Sequence, residues 1–377
     1  GEKPFNNVYL TGLIRDRQGR KMSKSLGNSP DPIDLMSLYG ADGVRVGIMM
    51  SSPAGGDLIF DTPIDLEKEE LNSKLCLLGR NFMNKSWNAF RLIKGWEVDA
   101  EKELTELDTI AIQWMRRRIN ATSAELADHF EKFRISDGLW SVYRVIWDDF
   151  CSWFLEMVKP GYQQPVSAKA LAEIISLFED VLKLAHPFIP FITEEIWQGL
   201  CDRKEGESLM VTQIEAPIVV GDDLEALAAF DVIIQTVTAI RAFRSEKGIP
   251  NKEAIELFIN TTTPKTFDAN RVVLNRFLNT SAISFTDKAP AGVGSVRVNT
   301  HEFYIPLGDN IDVEAEIEKL KKEISMKEGF LKGVQKKLGN ERFVANAPEA
   351  VVAIERKKQA DAEATIKLLK ETLAGLQ

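Results

Sequence analysis

From about Glu67 to Leu200, apolar residues return at helical spacing almost without a break, and this run limits the fold more than anything else in the chain. Leu71, Leu75, Leu78, Phe82 and Met83 recur in this way, followed by Trp87 and Phe90. Ile112, Met115 and Ile119 mark a second helix. Trp140, Tyr143, Trp147, Phe150 and Phe154 mark a third, ending near Lys159-Pro160-Gly161. Leu171, Ile174, Phe178, Val181 and Leu182 mark a fourth, stopped by Pro187 and Pro190. Residues three and four apart share a helix face, so each segment has one face to bury. Amphipathic helices joined by short breaks predict an antiparallel bundle. Thr193 is placed to cap a short last helix through Trp197.

The flanks read differently. Upstream, Asp31 stands as an N-cap, with Pro32 at the first helical position and Asp34 in capping-box-like spacing. That helix should end at Gly40, a left-handed C-cap, and a mostly apolar helix over about 41–50 should break at Pro53-Ala54-Gly55-Gly56. Downstream, residues 201–223 read as a polar connection with a strand-like Leu209-Met210-Val211. A helix over about 224–246 and another over 271–278 accompany short apolar runs at 255–259, 283–285, 293–298 and 303–307. With a hairpin turn at Asn299-Thr300-His301-Glu302, these predict a small α+β domain.

In the tail, Val313, Ile317, Leu320, Ile324, Leu331, Val334 and Leu338 follow three- and four-residue steps, with Lys327 as a polar seam position. Gly339-Asn340 breaks the pattern. After Ala347-Pro348, Val352, Ala362, Ile366, Leu369, Leu373 and Leu376 resume it, with Glu355 and Gln359 in the seam. Two heptad helices joined by a short loop predict an antiparallel coiled-coil hairpin, its polar seam residues fixing register at some cost in stability.

A net charge of −9 counts against nucleic acid binding over the whole surface and confines any such contact to basic islands. Three scattered cysteines, Cys76, Cys151 and Cys201, argue against a disulfide framework or a cysteine zinc site and fit a reducing cytosol. With three scattered histidines, no metal site is expected, and His129 and His186 read as structural. No uninterrupted apolar run is long enough to span a bilayer.

One segment points to chemistry. Lys21-Met22-Ser23-Lys24-Ser25, between Gly19-Arg20 and Leu26-Gly27-Asn28, is a cationic, donor-rich loop. Such a loop suits a polyanion that gains charge during a reaction, such as the phosphates of ATP, although composition alone also allows a solvated basic loop. Its wording resembles the second signature of the class I aminoacyl-tRNA synthetases. The similarity extends through Leu13-Ile14-Arg15-Asp16, Gln18-Gly19-Arg20, Tyr39-Gly40-Ala41-Asp42, Arg80-Asn81-Phe82 with Asn84-Lys85, and Trp87-Asn88-Ala89. It continues through the run from Ile146 to Glu156 and the run from His186 to Trp197. The chain resembles the C-terminal part of the bacterial-type valyl-tRNA synthetases.

The resemblance implies a mainly α fold in four parts. Residues 1–60 would be the end of the catalytic domain with its stem, and 61–220 a helical-bundle anticodon-binding domain. Residues 221–310 would be the small α+β domain, and 311–377 a coiled-coil tRNA-binding arm. The full enzyme would be cytoplasmic and monomeric, acting on valine, Mg2+-ATP and the valine tRNA. Lys24 would stabilise the leaving pyrophosphate and Lys21 would support it, with Ser23 and Ser25 as donors and Met22 as an apolar pin. Candidate tRNA contacts are Arg80, Asn81, Phe82 and Lys85, then Arg116 and Arg117, and Lys332, Lys336, Lys337 and Arg342 toward the arm tip.

Each has a plainer reading. Phe82 can be core, Arg116-Arg117-Arg118 sweep over half a helix circumference, and arm lysines can be merely solvated. Trp147, Trp153 and Trp197 read as packing. The family's His-Ile-Gly-His type motif is absent, and Val8-Tyr9-Leu10 reads as a strand entered midway. The expectation is a truncated chain that does not catalyse alone. A stand-alone RNA-binding or scaffold module is the alternative, and an isoleucine or leucine specificity a third.

Overall fold

The computed structural model of the chain describes residues 3–52, 55–63, 70–214, 221–307 and 313–376, without the side chains of 313–316, 342, 375 and 376. The expectations for Arg342, Val313 and Leu376 as side chains therefore lie outside the described residues. Helices dominate, with small sheets. The chain divides into two compact units, Gly1–Leu227 and Ala228–Gln377.

In the first unit, strands β1 (Ile14–Arg15) and β2 (Leu58–Ile59) pair in parallel. Between them stand α1 (Pro32–Tyr39) and α2 (Ala41–Met50). Asp31 caps α1 by accepting the Ile33 amide, with Pro32 first in the helix as expected. Gly40 has φ 77° and ψ 156°, so the chain turns there through extended backbone of positive φ rather than a left-handed cap. Helix α3 (Lys74–Lys94) lies against α2 at glycine contact distance: a Cβ on Gly79 would meet the Gly43 carbonyl oxygen at 2.4 Å.

Short strands β3 (Val98–Asp99) and β4 (Val166–Ser167) pair around α4 (Glu106–Glu131), α5 (Ile135–Arg144) and α6 (Leu155–Val158). Thr105 and Asp108 form a capping box on α4. Between α5 and α6 the stretch Val145–Phe154 is π-helical. Helices α7 (Ala168–Ala185) and α8 (Pro190–Leu200) complete the bundle, with Phe82, Met115, Leu139, Phe150, Phe154 and Phe178 buried at its centre.

Two expectations fail here. Thr193 lies inside α8, buried, donating its hydroxyl to the Ile189 carbonyl at 2.8 Å. The cap comes from α2 instead: the Asp42 carboxylate accepts the Ile192 amide at 2.7 Å and the Phe191 amide at 3.5 Å. Leu209–Val211 is a single 3₁₀ turn capped by the Ser208 hydroxyl, because side-chain capping of the Met210 amide competes with strand pairing.

Helix α9 (Gly221–Glu246) begins in the first unit and runs into the second. It is long and apolar enough to cross a membrane by length and composition alone, although Asp231 and Arg241 interrupt its apolar run, in line with the sequence expectation. A buried core helix meets the same measure, and Ile233, Val237 and Ile240 of α9 are fully buried.

The second unit has a four-stranded sheet in the order β6-β5-β8-β7. Strand β5 (Ile255–Asn260) leads through α10 (Pro264–Asp268) and α11 (Arg271–Leu278) to β6 (Thr280–Phe285), its parallel neighbour. Strands β7 (Val293–Val298) and β8 (His301–Pro306) form a hairpin. Its turn is Asn299-Thr300, with Asn299 in left-handed backbone and His301 and Glu302 already in strand.

Helices α12 (Val313–Leu338) and α14 (Glu349–Leu376) then pack along one another, joined through the short α13 (Glu341–Asn346), which the sequence pattern did not mark. Leu320, Ile324 and Leu369 form their shared core. Leu368 of α14 turns instead toward Val293 and Tyr304 of the sheet.

Candidate functional site

The Lys21–Ser25 segment is framed from below by two buried polar side chains. Asp16 and Asn28 are fully buried. Asp16 accepts the Gln18 and Arg20 amides at 2.9 Å each, Arg20 Nε at 2.8 Å and Asn28 Nδ2 at 2.9 Å. Burial pushes the Asp16 pKa up, but the hydrogen bonds from Asn28, Arg20 and the two amides outweigh it and hold it at about 2. Asn28 Oδ1 accepts the Ser23 amide at 3.0 Å.

The loop above this frame is a short turn. Ser23 Oγ caps a 3₁₀ turn, Lys24–Leu26, by accepting the Leu26 amide at 3.3 Å, and Gly27 closes it at φ 69°. A side chain there would be strained, so glycine is what lets the turn end so abruptly. Met22 packs onto a buried cluster of Leu35, Val44, Leu58, Phe60 and Cys76. Lys21, Lys24 and Ser25 are exposed, and Ser23 Oγ lies 3.3 Å from Ser25 Oγ. The segment thus presents two ammonium groups and hydroxyl donors on an anchored turn, the chemistry a polyphosphate needs. Sequence reasoning missed Asp16 and Asn28; the signal was two polar residues flanking a glycine-bounded loop.

The second basic feature is α3. Its 21 residues hold Lys74, Arg80, Lys85, Arg91 and Lys94 and no acid. Within a chain of net charge −9, this is a basic island. Its exposed stripe carries Arg80, Asn81, Asn84 and Asn88, so amides able to read base edges sit beside the cations. Arg80 donates to the Leu38 carbonyl at 3.3 Å, with its guanidinium 5.8 Å from the Tyr39 ring centre.

Lys85 is half-buried, its Nζ 5.0 Å from the Trp147 ring centre. Trp147 stacks on Tyr143 at 5.5 Å, and Tyr143 meets the exposed Trp140 edge-on at 5.5 Å. Trp147 is therefore partly a surface group, not wholly packing.

Phe82 corrects the sequence reading. Its ring is fully buried and tilted against Tyr143 at 4.9 Å, so no base can reach its face. The three arginines of α4 point to three different carboxylates. Arg116 meets Glu173 at 2.5 Å, Arg117 meets Asp223 at 2.9 Å and Arg118 meets Asp149 at 3.7 Å. An RNA phosphate would have to displace these acids.

On the helix pair of the second unit, Lys332, Lys336 and Lys337 are exposed, and Lys337 lies 3.8 Å from the buried seam residue Glu355. His186 faces Thr193, with Nδ1 to Oγ1 at 2.8 Å. Among the described residues, no three His, Cys, Asp or Glu side chains converge to hold a metal ion.

Three family models match the chain. Residues 1–61 match "tRNA synthetases class I (I, L, M and V)", and residues 113–259 match "Anticodon-binding domain of tRNA ligase". Residues 312–377 match "Valyl tRNA synthetase tRNA binding arm".

Curated relatives agree. The valine–tRNA ligase of Parabacteroides distasonis is 48% identical over 376 residues, covering 100% of this chain and 41% of that protein. That of Christiangramia forsetii is 49% identical over 378 residues with the same coverage, and that of Bacillus subtilis is 37% identical over 396 residues, covering 43% of that protein. The chain therefore spans about two-fifths of the length of the curated relatives it matches, and over its whole length it is similar to valine–tRNA ligases.

Proposed function

We propose that the chain is the C-terminal portion of a cytoplasmic, monomeric valine–tRNA ligase, supplying the loop that meets the ATP phosphates and much of the tRNA-binding surface. In the full enzyme, the valine carboxylate attacks the α-phosphate of Mg2+-ATP and pyrophosphate leaves; valine then passes to its tRNA. Mg2+ would enter with the nucleotide. Lys24, with Lys21, neutralises charge that builds on the leaving group, which lowers the barrier without tightening ATP binding. Ser23 and Ser25 donate to phosphate oxygens, and Met22 anchors the turn. Without the His-Ile-Gly-His type motif the isolated chain does not activate valine.

In this reading, residues 61–220 read the anticodon, with Arg80, Asn81 and Lys85 as contacts and Arg116 and Arg117 as secondary ones. Residues 221–310 form the small α+β domain. Residues 311–377 form a coiled-coil arm whose Lys332, Lys336 and Lys337 contact tRNA phosphates, with Arg342 nearby in sequence. Its heptad seam is supported by the buried Leu320, Ile324, Val352, Ala362, Ile366 and Leu369.

The observation that carries this reading is the anchored loop: Asp16, Asn28 and Met22 hold a turn from which Lys21 and Lys24 project. The test is Lys24→Ala in the full-length enzyme. Valine-dependent ATP–pyrophosphate exchange should fall by at least about a hundredfold while tRNA affinity changes less than about twofold. An unchanged exchange rate would remove Lys24 from the mechanism.

A further inference from the structure

We propose that the cleft between strand β7 and the helix pair α12–α14 binds a free α-amino acid with an aliphatic side chain. Its volume is about 600 Å3, within the roughly 300–1,000 Å3 of small-ligand sites. All of its walls belong to the second unit. Two direct bonds hold the walls together: Arg297 of β7 donates Nη1 to the Asp361 carbonyl of α14 at 3.1 Å, and the Thr372 hydroxyl donates to Ser295 Oγ at 2.7 Å. Leu368 and Leu369, both nearly buried, give the cleft an apolar floor.

The charges above this floor are not spent on one another. Glu323 and Lys327 of α12 stand one helical turn apart, as do Lys357 and Asp361 of α14, the spacing at which helix ion pairs form. Further along α14, Lys367 and Glu371 do approach, to 3.8 Å. Among the described residues neither cleft pair closes in this way, and none of the four side chains has another ionic partner. Two acids and two ammonium groups therefore stay open toward the cleft, beside the remaining N–H groups of Arg297.

This pattern selects among ligand classes. A bare anion, such as a phosphate, is repelled by Glu323 and Asp361, and a bare cation by Arg297, Lys327 and Lys357. A zwitterion satisfies both sets. Its carboxylate accepts from the Arg297 guanidinium and the lysines, and its ammonium group donates to Glu323 or Asp361. An aliphatic side chain then covers Leu368 and Leu369, removing apolar surface from water. The ligand would touch the sheet and both helices at once, so its binding fixes the helix pair more firmly against β7.

The experiment titrates L-leucine into the chain and follows the methyl NMR signals of Leu368 and Leu369. Leucinamide, which lacks the carboxylate, and isocaproate, which lacks the ammonium group, are titrated alongside. The expected result is saturable movement of these methyl signals, with a Kd on the order of 1–10 mM for a ligand this small. Each analogue should bind at least about fivefold more weakly, the worth of one exposed ion pair. Asp361→Asn and Lys327→Met change exposed side chains on the two helices, and each should weaken leucine binding by about the same factor. Unsaturable shifts, equal binding of leucine and its analogues, or wild-type affinity in both variants would overturn the site. So would inorganic phosphate binding there more tightly than leucine, since the two carboxylates would then not select the ligand.

Discussion

Asn28 donates its side-chain amide to the buried Asp16 carboxylate at 2.9 Å and accepts the Ser23 amide at 3.0 Å, so one residue ties the loop's cap to its foundation. Removing it leaves a buried carboxylate short of a donor and a backbone amide short of an acceptor. Asn28→Ala should cost about 1–3 kcal/mol, measured by urea unfolding of the chain. In the full-length ligase the same change should slow pyrophosphate exchange about tenfold or more with tRNA affinity intact. A stability loss without a change in exchange would mean the frame serves folding alone.

Asp16 sets the sign of an acid dependence. Despite the opposing effect of burial, its hydrogen bonds hold its pKa at about 2, below the usual value of roughly 4. A folded pKa below the unfolded one gives stability that is full above the unfolded value and lost as pH falls through the folded one. Between about pH 4 and pH 2 the wild type should lose stability more steeply than Asp16→Asn. Urea midpoints taken across that window decide it; parallel curves would mean that Asp16 does not govern the acid limb.

Gly79→Ala should separate α2 from α3. The added Cβ would meet Gly43 O at 2.4 Å and Gly43 Cα at 2.9 Å, and backbone cannot swing aside as a side chain can. Overpacking of this kind costs about 1–3 kcal/mol or more. Exposed Asn81→Ala on the same helix should stay within about 0.5 kcal/mol in the same urea titration.

The basic island on α3 and the lysines of α12 should reveal themselves through salt. Lys94→Ala and Lys336→Ala should each reduce the slope of log affinity for the tRNA against log salt by about 0.7–0.9, weakening binding similarly for any anticodon. A variant whose slope matches the wild type would place that lysine off the RNA path.

Much of this was legible in the sequence, for identifiable reasons. Helical periodicity revealed the bundle because residues such as Ile174, Phe178 and Val181 are both regularly spaced and buried. Asp31-Pro32 announced a helix start because capping is a local event. The loop was legible through its lysines and glycines. Phe82 was not: an aromatic on a helix looks the same in sequence whether it faces solvent or core, and only packing against Tyr143 decides. Thr193 misled because a better acceptor, Asp42, arrives from 150 residues away.

The sequence by itself determined where most of the long helices form and which short loop is cationic and bounded by glycines, because these depend on neighbours a few residues apart. Tertiary structure decided which polar groups are paired and which remain available. It turned Arg116, Arg117 and Arg118 toward three separate carboxylates and left Arg80 and the α3 asparagines facing outward. It joined Asp16 to Asn28 and Asp42 to α8. Hydrogen bonds and ion pairs act over a few ångströms, and which residues come that close is fixed only when the helices pack.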